Sequence, residues 1–352
     1  MTYTRKIVAI GTLLTLMALA AGCSGALDPQ TPSGVAGDGA GIAGRGTDGE
    51  RSPQGRAEQF ELIDTGDTVG RVVDHPAFDG FGQFILPLDG GSWDEAMPLD
   101  RVGSLLPYHS NIEPQAVVDT INEVISEVGK GQPVFYDFYT AEQARQDLSK
   151  ESTGLFFFRG DPGAPFAIVV PGGGFSYVGS VHEGFPYALE LSRQGYNVFV
   201  LQYRVGGEQI ACEDLAAALG YVFENAETLD VDTEDYSLWG SSAGARMAAR
   251  LGSHGSDAYG GPSIPRAATV VMAYTGHSDY TSDDPSTFAL VGEHDTIVSP
   301  ATMRQRVDHL RAAGVDAEFH EYQEVGHGFG LGTGTSAEGW LDAAAEFWND
   351  HS

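Results

Sequence analysis

Three residues of this chain have the types and the order needed for acyl transfer through a serine. Ser242 is the centre of Gly240-Ser241-Ser242-Ala243-Gly244. The short apolar run Tyr236-Ser237-Leu238-Trp239 precedes it, and Ala245-Arg246-Met247-Ala248-Ala249-Arg250-Leu251, which reads as helix, follows. Strand, tight turn and helix around Gly-x-Ser-x-Gly is the context in which this pattern holds a serine in a strained conformation at a strand tip. The positions two before and two after it must be nearly free of side chain, and Gly240 and Gly244 meet that demand. With 47 glycines in 352 residues the pattern also arises by chance. The other residues of the constellation therefore carry the weight.

A serine hydroxyl is a poor nucleophile at neutral pH and needs a base in contact, itself oriented by a carboxylate. In a strand-helix alternation with the serine at such a turn, the partners follow in the order serine, acid, histidine, each after a strand. Asp295 lies in Gly292-Glu293-His294-Asp295 after the apolar run Thr287–Val291, and His327 lies in Val325-Gly326-His327-Gly328-Phe329-Gly330. A tetrahedral intermediate also needs backbone N–H donors for its oxyanion. Pro171-Gly172-Gly173-Gly174-Phe175, at the end of another apolar run, lets backbone approach that oxygen, and Ala243 supplies the second expected N–H.

Competing residues exist. Asp279 also follows a strand run and is the alternative acid. Glu293 and His294 read as wall residues, His277 as a loop histidine, and Ser241 occupies the wrong place in the turn. Phe175, Tyr177, Phe185 and Tyr187 could rim the oxyanion loop as a sugar platform, although core packing suits most of them. No metal-ligand spacing and no dinucleotide fingerprint occurs in the chain, so no metal and no cofactor is expected.

The elements that must position these residues become regular from Gly154 onward. Strand runs are Leu155–Phe158, Phe166–Val170, Val198–Leu201, Ala268–Tyr274, Thr287–Val291 and Glu318–Tyr322. Helical stretches are Phe185–Arg193, Glu213–Asn225, the run after Ser242, and one opened by Ser299-Pro300 and stopped by Gly314. Thr335 and Glu338 have capping-box spacing for a last helix carrying Trp340, Leu341, Ala344, Phe347 and Trp348 on one face. Alternation of this kind predicts an α/β fold with a mostly parallel sheet and helices on both faces. Its sites form at the carboxyl ends of the strands. Residues 58–153 are less regular. Phe78–Pro87 alternates apolar residues with glycine and suggests irregular strand, Glu113-Pro114 opens a helix that ends before Gly129, and Pro133–Thr140 is β-prone. This segment is expected to be an elaboration packed on the core at 154–352, as a lid or a brace.

Composition narrows the partners. The formal net charge is −30, from 49 acidic and 19 basic residues. Such a surface repels nucleic acid and anionic head groups. Arg5-Lys6 and the apolar run Ile7–Ala21 suit the core of an export signal, being short for a membrane span. Leu19-Ala20-Ala21-Gly22-Cys23 resembles a bacterial lipoprotein box. That resemblance implies removal of residues 1–22 and a lipid on Cys23, hence a membrane-anchored protein of the bacterial envelope; ordinary secretion is the alternative. Residues 23–57 are small and polar and read as a disordered tether. Cys212 then has no disulfide partner and reads as a buried, inert thiol.

The Gly-x-Ser-x-Gly turn, the Asp295 and His327 segments and the triple-glycine loop together resemble the α/β-hydrolase fold, esterase/lipase branch, over about residues 154–350. Pro171-Gly172-Gly173-Gly174-Phe175 resembles that branch's His-Gly-Gly-Gly loop, with Pro171 in place of histidine. Gly326-His327-Gly328-Phe329-Gly330-Leu331 and Val200-Leu201-Gln202-Tyr203-Arg204 resemble bacterial acetyl-xylan and feruloyl esterase-like members. The resemblance implies Ser242, Asp295 and His327 as catalytic triad and Gly173, Gly174 and Ala243 as oxyanion donors. It implies a serine carboxylester hydrolase acting on short-chain esters, small-molecule or glycan. A lipase or serine peptidase on the same fold, and a catalytically silent cell-surface binding or scaffold lipoprotein, stay open.

Overall fold

The computed structural model describes residues 59–88 and 93–352. The expected leader, Cys23 and the tether lie outside the described residues. The helices are α1 Val69–Val73, α2 Pro114–Gly129, α3 Ala141–Gln146, α4 Phe185–Arg193, α5 Glu208–Glu224, α6 Ala226–Leu229, α7 Ala243–His254, α8 Pro300–Ala312 and α9 Trp340–Asp350. The strands are β1 Phe135–Tyr136, β2 Gly154–Phe158, β3 Pro165–Val170, β4 Asn197–Gln202, β5 Asp232–Ser241, β6 Thr269–Ala273, β7 Ser286–Gly292 and β8 Ala317–Tyr322. They form one sheet in the order β1-β2-β4-β3-β5-β6-β7-β8. Every pair from β4 to β8 is parallel, and β1 and β2 close one edge antiparallel.

The central strands are apolar without alternation because both faces are covered. In β5 the two faces can be read from neighbouring residues, since side chains alternate along a strand. Trp239 faces α9, with Trp340 and Trp348 at ring-centroid distances of 6.2 and 6.4 Å. At Gly240 a Cβ would meet the Gly244 carbonyl of α7 on the other side. The expected mostly parallel, two-faced sheet is therefore what the chain builds.

Three local expectations change. Phe78–Pro87 forms no strand; tight 3₁₀ turns lie at Pro76–Phe78, where the segment begins, and at Gly82–Phe84. Their N–H groups bond three residues back, as in Phe78 to the His75 carbonyl at 2.8 Å and Phe84 to that of Phe81 at 2.9 Å. A Cβ on Gly82 would strike the Val73 carbonyl, so its glycine marks a close approach rather than a strand alternation. Helix α5 begins at Glu208, five residues before the expected Glu213. This places Cys212 inside the helix, fully buried, and burial pushes its thiol up to about 12. Thr335 and Glu338 do not cap the last helix. The Thr335 hydroxyl donates to the Gly332 carbonyl at 2.6 Å and Glu338 accepts from the Gly334 N–H at 2.8 Å. They close a turn that ends at Gly339 (φ 88°), and α9 starts after it. The three-residue spacing serves a turn as readily as a helix start.

Residues 59–88 and 93–153 contribute to the core of the sheet. Val117, Val118, Ile121, Val124 and Ile125 of α2 are buried in the same cluster as β2–β4. A second attachment is polar. Asp214, fully buried in α5, accepts from the Arg204 backbone at 2.7 Å, from its guanidinium at 2.7 and 3.0 Å, and from Tyr139 Oη at 2.7 Å. Arg204 also reaches Asp147 at 3.0 Å. Removing one partner of a buried ion pair strands the other charge, at a cost of about 3–5 kcal/mol. Asp214→Ala is thus expected to lose about that much stability, read as a lower urea midpoint. A loss under ~1 kcal/mol would show that water reaches Arg204 and that the attachment is weak.

Candidate active site

Ser242 sits between β5 and α7 at φ 50° and ψ −112°, a strained conformation for a residue with a Cβ. The Ala273 carbonyl of β6 holds its N–H at 2.9 Å. A Cβ on Gly244 would strike the Val170 carbonyl, and one on Gly240 the Gly244 carbonyl. The two glycines let α7 leave the strand this steeply.

The loop after β8 brings His327 Nε2 to 2.9 Å from Ser242 Oγ. The loop after β7 brings Asp295 Oδ2 to 2.7 Å from His327 Nδ1. The other Asp295 oxygen accepts the Ile297 and Val298 N–H groups, each at 2.8 Å. A carboxylate so held accepts from Nδ1, which leaves the Nε2 lone pair for the serine proton. The Tyr274 ring lies edge-on to His327 at 5.1 Å, and Ser110 Oγ donates to the His327 carbonyl at 2.7 Å. His327 is 7% exposed and the Asp295 side chain is fully buried.

The triple-glycine loop runs beside the nucleophile: a Cβ on Gly172 would lie 3.0 Å from Ser242 Cβ. The three glycines differ in role. The Gly172 N–H is taken by Glu183 Oε2 at 2.8 Å, so it cannot serve an oxyanion. Gly173 (φ 133°) and Gly174 (φ 62°) adopt backbone conformations closed to most side chains. Ala243 opens α7, where the first N–H groups of a helix have no partner within it. With the Gly172 N–H engaged by Glu183, the N–H groups of Gly173, Gly174 and Ala243 stay the candidates for an oxyanion.

The remaining candidates disperse. Asp279 pairs with His254 at 3.3 Å on the surface, away from His327. Glu293 accepts the Glu324 N–H at 3.3 Å. His277 is buried, and burial with the Arg306, Arg250 and Arg246 charges pushes its imidazole down to about 3. Ser241 Oγ lies 3.3 Å from both Tyr187 Oη and Tyr274 Oη, inside the core. Of the four rim aromatics, Phe185 and Tyr187 are core residues, Tyr177 is 5% exposed, and Phe175 alone is half-buried, packed against the core.

Four residues that sequence reasoning passed over surround the site: Tyr108, His109, Glu183 and Tyr274. Glu183 is fully buried. Besides Gly172 it takes the Tyr274 hydroxyl at 2.8 Å and His109 Nε2 at 3.1 Å. His109 Nδ1 meets Tyr177 Oη at 2.9 Å. Tyr108 is 44% exposed, stacks on Tyr177 at 5.7 Å, and would lie 3.1 Å from a Cβ on Gly174. The one visible signal was Glu183, an acidic residue in the otherwise neutral stretch Val181–Leu189. Among the described residues no group of three or more His, Cys, Asp or Glu could hold a metal ion, and no helix is long and apolar enough to cross a membrane.

Residues 159–259 match the BD-FAE family. An acetylxylan esterase from Xylanibacter ruminicola is 29% identical over 112 residues, 31% of this chain and 23% of that protein. Endo-1,4-beta-xylanase B of Butyrivibrio fibrisolvens is 32% identical over 96 residues, 26% of this chain and 15% of that protein. The matched segment thus spans under a quarter of these relatives. Among solved structures, an acetyl ester-xyloside bifunctional hydrolase from Caldicellulosiruptor lactoaceticus superposes with a TM-score of 0.55 at 21% identity, over 61% of this chain and 95% of that one. An α/β hydrolase from a Medee basin deep-sea metagenome library gives 0.50 at 24%, over 56% and 92%. These two likenesses are of fold.

Proposed function

We propose that this chain, an α/β hydrolase by fold whose 159–259 segment matches the BD-FAE family, is a serine carboxylester hydrolase that works through an acyl-enzyme. The observation that carries the reading is the alignment of Ser242, His327 and Asp295 at 2.9 and 2.7 Å beside a loop of left-handed glycines. Ser242 Oγ attacks the ester carbonyl carbon while His327 Nε2 takes its proton. Asp295 holds the imidazole tautomer and stabilises the cation that forms. The oxyanion falls to the N–H groups of Gly173, Gly174 and Ala243. The tetrahedral intermediate collapses, and His327 protonates the leaving alcohol. Water then repeats the sequence on the acyl-enzyme and frees the acid and Ser242.

The substrates proposed are short, acetyl-type esters on carbohydrate. Support comes from the acetylxylan esterase and xylanase names of the relatives and from the Tyr108 ring, open to solvent beside Gly174. The protein is further proposed to be exported and held at the bacterial envelope by a lipid on Cys23, or else secreted.

The test is hydrolysis of p-nitrophenyl esters from acetyl to long acyl, and of acetylated xylan, by the full chain. Turnover confined to short acyl groups, with acetate released from xylan, is the expected result. Rates that climb with acyl length would replace this reading with a lipase. No hydrolysis of any ester would sink it in favour of a peptidase or a binding scaffold.

A further inference from the structure

We infer that Glu183 and His109 are positioning residues, a buried, hydrogen-bonded carboxylate–imidazole pair that sets the backbone of the 172–174 loop and ties it to the wall of the catalytic base. The inference rests on the esterase reading above.

Glu183 sits in the single wide turn Ser180–Gly184, a π-type turn that leads into α4. Such turns inside helices often occur at functional sites because they re-aim one side chain. Here the turn sends a carboxylate beneath the oxyanion loop. Oε2 receives the Gly172 N–H at 2.8 Å and His109 Nε2 at 3.1 Å; Oε1 receives the Tyr274 hydroxyl at 2.8 Å. The Gly172 bond fixes the peptide plane just ahead of Gly173 and Gly174, whose N–H groups are the proposed donors. Tyr274 carries the same restraint to the His327 ring, which it meets edge-on at 5.1 Å.

A carboxylate with no exposed surface is costly unless opposite charge and hydrogen bonds compensate it. Burial alone would push the Glu183 carboxyl up; His109 beside it, with His182 and the Tyr274 hydroxyl, overrides this and holds it down to about 2. Tyr187 and Tyr177 are the other titratable groups facing it. His109 is itself oriented by Tyr177 Oη at 2.9 Å. His109 belongs to the segment before residue 154, so that segment supplies part of the catalytic architecture and does more than cover it. Ser110 adds a second link, through its bond to the His327 carbonyl at 2.7 Å.

The experiment compares the full chain with Glu183→Leu, Glu183→Gln, His109→Gln and Tyr177→Phe. Each is titrated with a fluorophosphonate to count reactive Ser242 sites, then assayed for kcat and KM on p-nitrophenyl acetate. Loss of one oxyanion donor costs about 10²–10³-fold in kcat, and a misplaced loop is of similar order. Glu183→Leu and His109→Gln are expected to lose about 10²-fold in kcat per titrated site, with KM within about twofold. Glu183→Gln, which keeps an acceptor for Gly172, should lose about tenfold, and Tyr177→Phe less. Should Glu183→Leu fail to fold, Glu183→Gln and Tyr177→Phe still decide the matter. If sites are lost but kcat per remaining site is unchanged in these variants, the pair merely braces the fold and the inference is wrong. Wild type that neither labels nor hydrolyses any ester would instead overturn the esterase reading, and is recognised because wild type and variants fail alike.

Discussion

Ser242→Ala is expected to lower kcat for p-nitrophenyl acetate by about 10⁶-fold, the loss that follows removal of a triad nucleophile. The substitution keeps the Cβ, so it adds no strain at φ 50° and leaves the turn between β5 and α7 intact. Thermal unfolding should therefore match wild type, and fluorophosphonate labelling should vanish. Ser241→Ala is the control. Its hydroxyl faces Tyr187 and Tyr274 at 3.3 Å, on the core side of the strand end. That variant should keep labelling. Turnover surviving in Ser242→Ala but lost in Ser241→Ala would reverse the assignment of the nucleophile.

Asp295→Asn should cost about 10⁴-fold in kcat with little change in stability. The reason lies in the second carboxylate oxygen. Oδ1 accepts two backbone N–H groups, from Ile297 and Val298, at 2.8 Å each. An asparagine will keep its oxygen there and turn its NH₂ toward His327 Nδ1. The imidazole must then present a lone pair at Nδ1 and carry its proton on Nε2, facing Ser242 as a donor. In that tautomer it cannot take the serine proton. Asp279→Asn, by contrast, alters a carboxylate that pairs with His254 on the surface and accepts the Tyr280 N–H, and should leave kcat within about twofold. Equal losses from both substitutions would show that the acid has been misassigned.

What was legible beforehand depended on how local each signal is. The elbow at Ser242 could be read because strand, glycines and helix that make it are contiguous. The buried strands could be read because a covered parallel sheet leaves continuous apolar runs. Phe78–Pro87 misled because glycines interleaved with apolar residues give the same period whether they alternate across a sheet or sit in successive 3₁₀ turns. Thr335 and Glu338 misled because their spacing closes a turn as well as a helix.

The sequence by itself determined the α/β alternation, the order serine, acid, histidine with Asp295 preferred to Asp279, and the glycine loop, since each is carried by residues a few positions apart or by a fixed chain order. Only the tertiary structure decided that Asp295 rather than Asp279 meets His327, and that Glu183 takes the Gly172 N–H. It alone joined His109 and Tyr108, from before residue 154, to Glu183 and Gly174. Those contacts cross 66 or more positions of chain, and no local pattern encodes them. They exist because the sheet brings its strand ends together, and because a buried carboxylate demands partners from whichever segments the core packs around it.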